Sequence, residues 1–139
     1  MTHEQAIQKL QEASQRITPA RKAILQQLEK HGAPVAAPDI LKLLAKAHLD
    51  VNKTTIYREL EFLVAQGLVS EVHLGSDSVH YEIAGDHHHH FVCVSCKDVQ
   101  ELDIQDEGLE KIERKIEKQT KVKVTSHMLE FFGLCAVCK

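Results

Sequence analysis

Asn52-Lys53-Thr54-Thr55-Ile56-Tyr57-Arg58-Glu59-Leu60-Glu61-Phe62-Leu63-Val64-Ala65 has one apolar and one polar face at a helical period. Ile56, Leu60, Leu63 and Val64 fall at i, i+4, i+7 and i+8, one face of an α-helix, with Asn52 or Thr54 as N-cap. The other face carries Lys53, Thr54, Thr55, Tyr57 and Arg58, groups that reach phosphates and base edges, while Glu59 and Glu61 must point aside. After Gly67 the period changes from helical to alternating. Leu68 to Leu74 and Val79 to Ile83 read as two short strands, turned by Gly75-Ser76-Asp77-Ser78.

Upstream of that stretch the chain reads helical. Glu4 to Ser14 places Ala6, Ile7 and Leu10 on one face. Thr18-Pro19 has the form of an N-cap followed by Pro at N1, and the helix it opens runs to His31-Gly32. Pro38 opens a third helix with Ile40, Leu41 and Leu44 as its apolar stripe. Helices followed by a hairpin outline a winged helix-turn-helix, with Asn52 to Ala65 as the recognition helix.

Downstream, residues 84–90 are polar and His-rich and read as a hinge. Phe91 to Val94 and Val99 to Leu102 read as strands, Asp106 to Gln119 as a helix, and Val122 to Phe132 as a β-rich run. The predicted class is therefore α+β. A winged helix-turn-helix domain (1–84) and a His-rich hinge (85–90) precede a small α/β domain (91–139) that needs a metal staple and an oligomer interface.

The composition sets limits. The 139 residues are 43% hydrophobic but only 4% aromatic, without Trp, so the core is aliphatic. No apolar run approaches the roughly 20 residues of a membrane span, and no secretory signal opens the chain. The expected compartment is the cytoplasm, where thiols stay reduced and paired C-x-x-C motifs favour metal over disulfides. Net charge is −3, and neither half is basic: residues 1–85 carry nine Lys/Arg against ten Asp/Glu, and 86–139 eight against ten. DNA binding would need local positive charge, or charge from bound metal; the helical half offers the basic and polar set Arg16, Thr18, Arg21, Lys53, Tyr57 and Arg58.

The metal chemistry lies in the second half. Cys93/Cys96 and Cys135/Cys138 are two C-x-x-C pairs far apart in the chain, and four thiolates close a tetrahedral zinc site with no open position, which is structural rather than catalytic. Neither pair opens a helix after a strand, which disfavours a thioredoxin-like redox role. In the run His87-His88-His89-His90, an extended backbone turns His87 and His89 to one side and His88 and His90 to the other. Glu82, Glu101, Glu110 and His127 are available to complete mixed His/carboxylate sites, which suit Zn, Fe(II), Mn and Co alike. A solvated His-rich loop is the plainer alternative. No H-E-x-x-H or other catalytic spacing is present, so a zinc hydrolase has little support; a zinc buffer would not need Tyr57 and Arg58 on a helix-turn-helix outline.

These motifs together resemble the ferric uptake regulator (Fur) superfamily. The resemblance rests on Arg16-Ile17-Thr18-Pro19-Ala20-Arg21, Thr54-Thr55-Ile56-Tyr57-Arg58-Glu59-Leu60 and His87 to His90. It continues in Cys93-Val94-Ser95-Cys96, then Ser126-His127 leading to Gly133-Leu134-Cys135-Ala136-Val137-Cys138, and covers nearly the whole chain. It implies a homodimeric, metal-dependent repressor of metal homeostasis genes, with iron ranked first and zinc-uptake or peroxide-responsive control as alternatives. Its partner would be a palindromic, A·T-rich double-stranded operator, contacted through Arg16, Thr18, Arg21, Lys53, Thr54, Thr55, Tyr57 and Arg58. The cysteines would hold structural Zn2+. A regulatory Fe2+, Zn2+ or Mn2+ would take Glu82, His88, His90 and Glu101, and a second site would take His87, His89, Glu110 and His127. The chain departs from the family where a His usually precedes the third helix: Pro34 stands there, and His31 or His80 is the candidate substitute.

Overall fold

The computed structural model describes residues 1–75, 78–104 and 107–139, and divides into two compact units, Met1–Asp86 and His87–Lys139. The predicted turn at Ser76 and Asp77 and the predicted helix start at Asp106 lie outside the described residues.

Unit 1 begins with α1 (His3–Glu12), held at its N-terminus by a capping box in which Thr2 and Gln5 satisfy each other's backbone N–H. Next comes α2 (Pro19–His31), where Thr18 Oγ1 accepts from Arg21 N at 3.1 Å, and Gly32 ends the helix at φ 68°. A glycine pays little for that left-handed conformation. The segment β1 (Val35–Ala36) leads directly into α3 (Ala37–Lys46). The helix α4 (Lys53–Ala65) is capped by Asn52, whose side chain accepts from Thr55 N at 2.8 Å; Thr54 lies inside the helix. Two antiparallel strands follow, β2 (Val69–His73) and β3 (Val79–Ile83). β1 pairs with the other edge of β3, giving the order β1-β3-β2.

Ile24, Leu25, Ile40, Leu44, Ile56, Leu60 and Leu63 are fully buried in one contiguous core that joins the helices to Tyr81 of β3. The helical periodicity on the chain thus becomes packing: each amphipathic stripe turns to the same interior. At about 25 cal/mol per Å² of apolar surface, each such Leu or Ile contributes roughly 2 kcal/mol against its ordering entropy. This arrangement is a winged helix, with α4 presenting its polar face outward.

Unit 2 is built on β4 (His89–Cys93). It pairs antiparallel with β5 (Val99–Leu102) and parallel with β6 (Glu130–Gly133), in the order β5-β4-β6. The helix α5 (Glu107–Thr120) lies in the crossover that the parallel pairing requires. Two boundaries differ from the sequence-based expectation. β4 starts at His89 rather than Phe91, because His89 and His90 are paired on β5, and His90 also on β6. The β-rich run expected over Val122 to Phe132 narrows to Glu130–Gly133, the residues that find partners along His90–Cys93.

The burial in this unit is slight. Among the described residues only His89, His90, Val92 and Cys93 are buried, whereas Ile112, Phe132 and Leu134 are each half exposed or more. So small a core does not hold fifty residues together without help.

Candidate metal centres and nucleic-acid helix

The β4/β6 pairing sets the cysteines. The two strands run parallel with Cys93 opposite Gly133, so the turn carrying Cys96 and the turn carrying Cys135 and Cys138 leave the same end of the sheet. A Cβ at Gly133 would lie 3.2 Å from the Phe91 ring, which would have to shift to admit it. The four Sγ atoms all lie within 4.8 Å of one another, and Cys96 Sγ is 3.8 Å from Cys135 Sγ. Tetrahedral zinc with Zn–S of about 2.3 Å spaces its sulfurs by about 3.8 Å, so the set fits that ion. All four are free of disulfides.

The backbone supports ionisation of one member first. The amides of Cys135 and Cys96 hold the Cys93 thiol down to about 6, and Cys135 N donates to Cys93 Sγ at 3.4 Å. The amide of Asp98 favours the Cys96 thiolate, but its neighbour Cys93, desolvation and then the other two sulfurs outweigh it and push that thiol up to about 12. Cys138 is raised too, chiefly by Cys135. Four thiolates at this spacing need a cation among them, which is the electrostatic signature of a metal site.

The histidine run alternates around β4 as its extended backbone requires. His87, His89 and His127 bring ligand nitrogens within 4.8 Å, with the Nε2 atoms of His87 and His127 2.8 Å apart. His127 Nδ1 is 2.7 Å from Glu113 Oε1, so Glu113 fixes the tautomer that leaves Nε2 as donor to a metal. Glu110 pairs with Arg114 at 3.0 Å, and the carboxylate that reaches His127 is Glu113, one residue short of a full turn onward.

On the other side His88 and His90 bring their Nε2 atoms to 3.2 Å. Metal–N bonds of about 2.0–2.1 Å in a tetrahedron separate nitrogens by about 3.3 Å, so this pair also fits a metal. Neighbouring strands place a carboxylate on each flank of His90: Glu101 of β5 and Glu130 of β6 are both its register partners. Glu130 was not expected from the sequence, since only the parallel pairing brings it there. In unit 1, Glu82 and His80 share one face of β3, opposite the buried Tyr81, and His80 Nδ1 lies 3.1 Å from the Ser78 carbonyl. His31 sits at the end of α2 with Nδ1 3.2 Å from the Ala33 carbonyl.

The helix α4 exposes Lys53, Thr54, Tyr57 and Arg58, with Thr55 half-buried. Lys53 Nζ lies 5.9 Å from the Tyr57 ring centre. Arg16 is exposed as well. Arg21 and Thr18 differ from the rest of the expected DNA set. Arg21 Nε donates to Glu59 at 2.5 Å, one Nη donates to the Arg16 carbonyl at 2.6 Å, and the guanidinium lies 3.6 Å over the Phe62 ring. Those contacts tie α2 to α4 and fix α4 against its scaffold. The Thr18 hydroxyl is the cap of α2.

Known proteins match nearly the whole chain. The Ferric uptake regulator family profile matches residues 12–132. The peroxide operon regulator of Bacillus subtilis (strain 168) is 33% identical over 134 residues, 96% of this chain and 91% of that protein. The crystal structure of the Vibrio cholerae ferric uptake regulator superposes with a TM-score of 0.76 at 28% identity, covering 92% of this chain and 98% of that one. A zinc uptake regulator in complex with zinc and DNA superposes with a TM-score of 0.73 at 28% identity, covering 97% and 91%.

Proposed function

The chain belongs to the ferric uptake regulator family, whose members are metal-responsive transcriptional regulators and not enzymes, and on that premise we propose that it is a homodimeric repressor. It binds a palindromic, A·T-rich operator when a divalent cation occupies the site of His88 and His90, and it controls metal homeostasis genes. The observation that carries this reading is the convergence of His88 and His90 Nε2 at 3.2 Å on one strand, in a chain whose other unit exposes a polar recognition helix.

A bound cation would supply coordination positions and positive charge. His88 and His90 donate through Nε2. Glu101 adds a carboxylate from β5, and Glu82 of the winged unit adds a second. His80 takes the role that Pro34 cannot fill. It shares a β3 face with Glu82, and β1, which Pro34 immediately precedes, pairs with β3 through Val35↔Tyr81 and Ala36↔His80. His31 has no such neighbour on its element, which favours His80. The switch is a linkage: ligands drawn from both units make metal affinity depend on how the units are disposed, and a tenfold gain in operator affinity needs about 1.4 kcal/mol of that preference. The four cysteines hold structural zinc, and the trio of His87, His89 and His127 holds a further ion. Tyr57 reads bases, including thymine methyls, and Arg58 and Arg16 contact phosphate. The half-exposed apolar residues of unit 2 meet a second copy.

The similarity to a peroxide operon regulator favours one alternative, repression by iron that peroxide relieves. Both readings are tested by anaerobic fluorescence anisotropy of labelled DNA from upstream of the protein's own gene. Fe(II), Mn(II) or Zn(II) is titrated onto protein holding only its tightly bound zinc. Tight binding with one metal supports the repressor and names its signal, and loss of the Fe(II) complex on adding hydrogen peroxide selects the alternative. The absence of metal-dependent binding to that DNA, and to a library of random duplexes, overturns both.

A further inference from the structure

Glu130 faces the wrong side of His90 to be a metal ligand and the right side to direct one. His90 is 3% exposed, and its Nε2 meets that of His88. The opposite ring nitrogen, Nδ1, lies 3.5 Å from Glu130 Oε1 and 3.4 Å from Oε2. The Glu130 side chain is 15% exposed, and its Oε2 is buried without a hydrogen bond. A buried carboxylate oxygen left unmatched is costly, and a His N–H is the donor beside it. Strand register makes the placement firm, since Glu130 is the β6 partner of His90. On the other edge β5 offers Glu101, so one flanking carboxylate can bind metal while the other holds the ring.

We propose that Glu130 is a positioning residue for the regulatory metal: its carboxylate accepts from His90 Nδ1–H and so commits Nε2 to the cation. This rests on the reading of His88 and His90 as the regulatory site. It makes the same arrangement that Glu113 makes with His127 at the other site, so each histidine cluster carries one carboxylate behind one ring. Carboxylate partners of ligating histidines typically contribute 10- to 100-fold in metal affinity.

The test uses the full chain with its cysteine site filled by zinc. Mn(II) and Zn(II) binding is measured by competition with a chromophoric chelator, and the His90 tautomer by 15N NMR of the imidazole. The expected result is an Nδ1–H tautomer in the unsubstituted chain. In Glu130→Gln we expect about tenfold weaker binding in the class of sites that His90→Ala abolishes, with the class lost in His127→Ala unchanged. Unaltered affinity in Glu130→Gln, alongside loss in His90→Ala, overturns the role of Glu130 and leaves the regulatory site standing. Wild-type affinity in His90→Ala removes both. Should Glu130→Gln not fold, the unsubstituted chain still decides: a proton on His90 Nε2 rather than Nδ1 in the metal-free form overturns the proposal.

Discussion

Substituting Cys96 by Ser should unfold unit 2 and spare unit 1. A metal that joins the two C-x-x-C pairs closes a loop whose ends, Cys96 and Cys135, are 39 positions apart. Treated as a cross-link, closure of a loop near that length removes about 4 kcal/mol of chain entropy from the unfolded state. A unit of roughly fifty residues has a total stability of about 3–8 kcal/mol at the usual 0.05–0.15 kcal/mol per residue. Unit 2 belongs at the low end, because its buried apolar side chains are Val92 and Cys93 alone among the described residues. Loss of the cross-link therefore removes most of what holds it. Unit 1 keeps its own core around Ile24, Leu44 and Leu60. A 1H–15N correlation spectrum of Cys96→Ser should show native dispersion for residues of unit 1 and collapsed dispersion for residues 87–139, with the dimer lost by sedimentation. A native spectrum throughout, in a protein that remains a dimer, would show that neither a zinc cross-link nor a weak core governs unit 2.

Three further outcomes follow from the winged unit. Glu59→Ala leaves the Arg21 guanidinium without its carboxylate, though the Arg16 carbonyl and Phe62 ring remain, so the cost should be about 2 kcal/mol against the 3–5 kcal/mol of a fully buried pair. For a unit of this size, thermal melting should show that cost as a fall of roughly 8–16 °C; no change in melting would mean the pair is merely a surface contact. Tyr57→Ala should weaken specific operator binding with metal content unchanged, measured by anisotropy and elemental analysis, and an unaltered affinity would remove α4 as the reading helix. Arg58→Ala should lower the slope of log affinity against log salt by about one unit without altering sequence preference, and an unchanged slope would show that it makes no phosphate contact.

Local signals carried most of unit 1. Thr18-Pro19, Asn52 and Gly32 act as caps because their side chains or backbone suit those positions whatever surrounds them, and the stripe of Ile56, Leu60 and Leu63 needs only a helical period. The cysteine pairs were equally legible, since ligand spacing is written along the chain. What escaped is set by pairing between distant segments. His89 and His90 look like a polar hinge until β5 and β6 are seen on either side of them. The two residues of β1 form a strand only because β3 has an open edge. Glu110 and Glu113 are both acidic positions on one helix, and which of them meets His127 depends on the rotation of α5, to which spacing is silent. Glu130 is adjacent to His90 solely through a parallel register between strands 40 residues apart. The ion pair of Arg21 and Glu59 appears only once α2 packs on α4.

In the proposed switch, metal at His88 and His90 and operator DNA favour the same state of the protein. Linkage then requires each to tighten the other by one and the same factor. The most direct measurement is the metal dissociation constant of the His88/His90 class with and without saturating operator, beside the operator dissociation constant with and without metal. Two equal ratios of tenfold or more are expected, both falling to one in His90→Ala. A metal affinity indifferent to operator, or a DNA affinity that responds to metal as strongly in His90→Ala as in the unsubstituted chain, would contradict it.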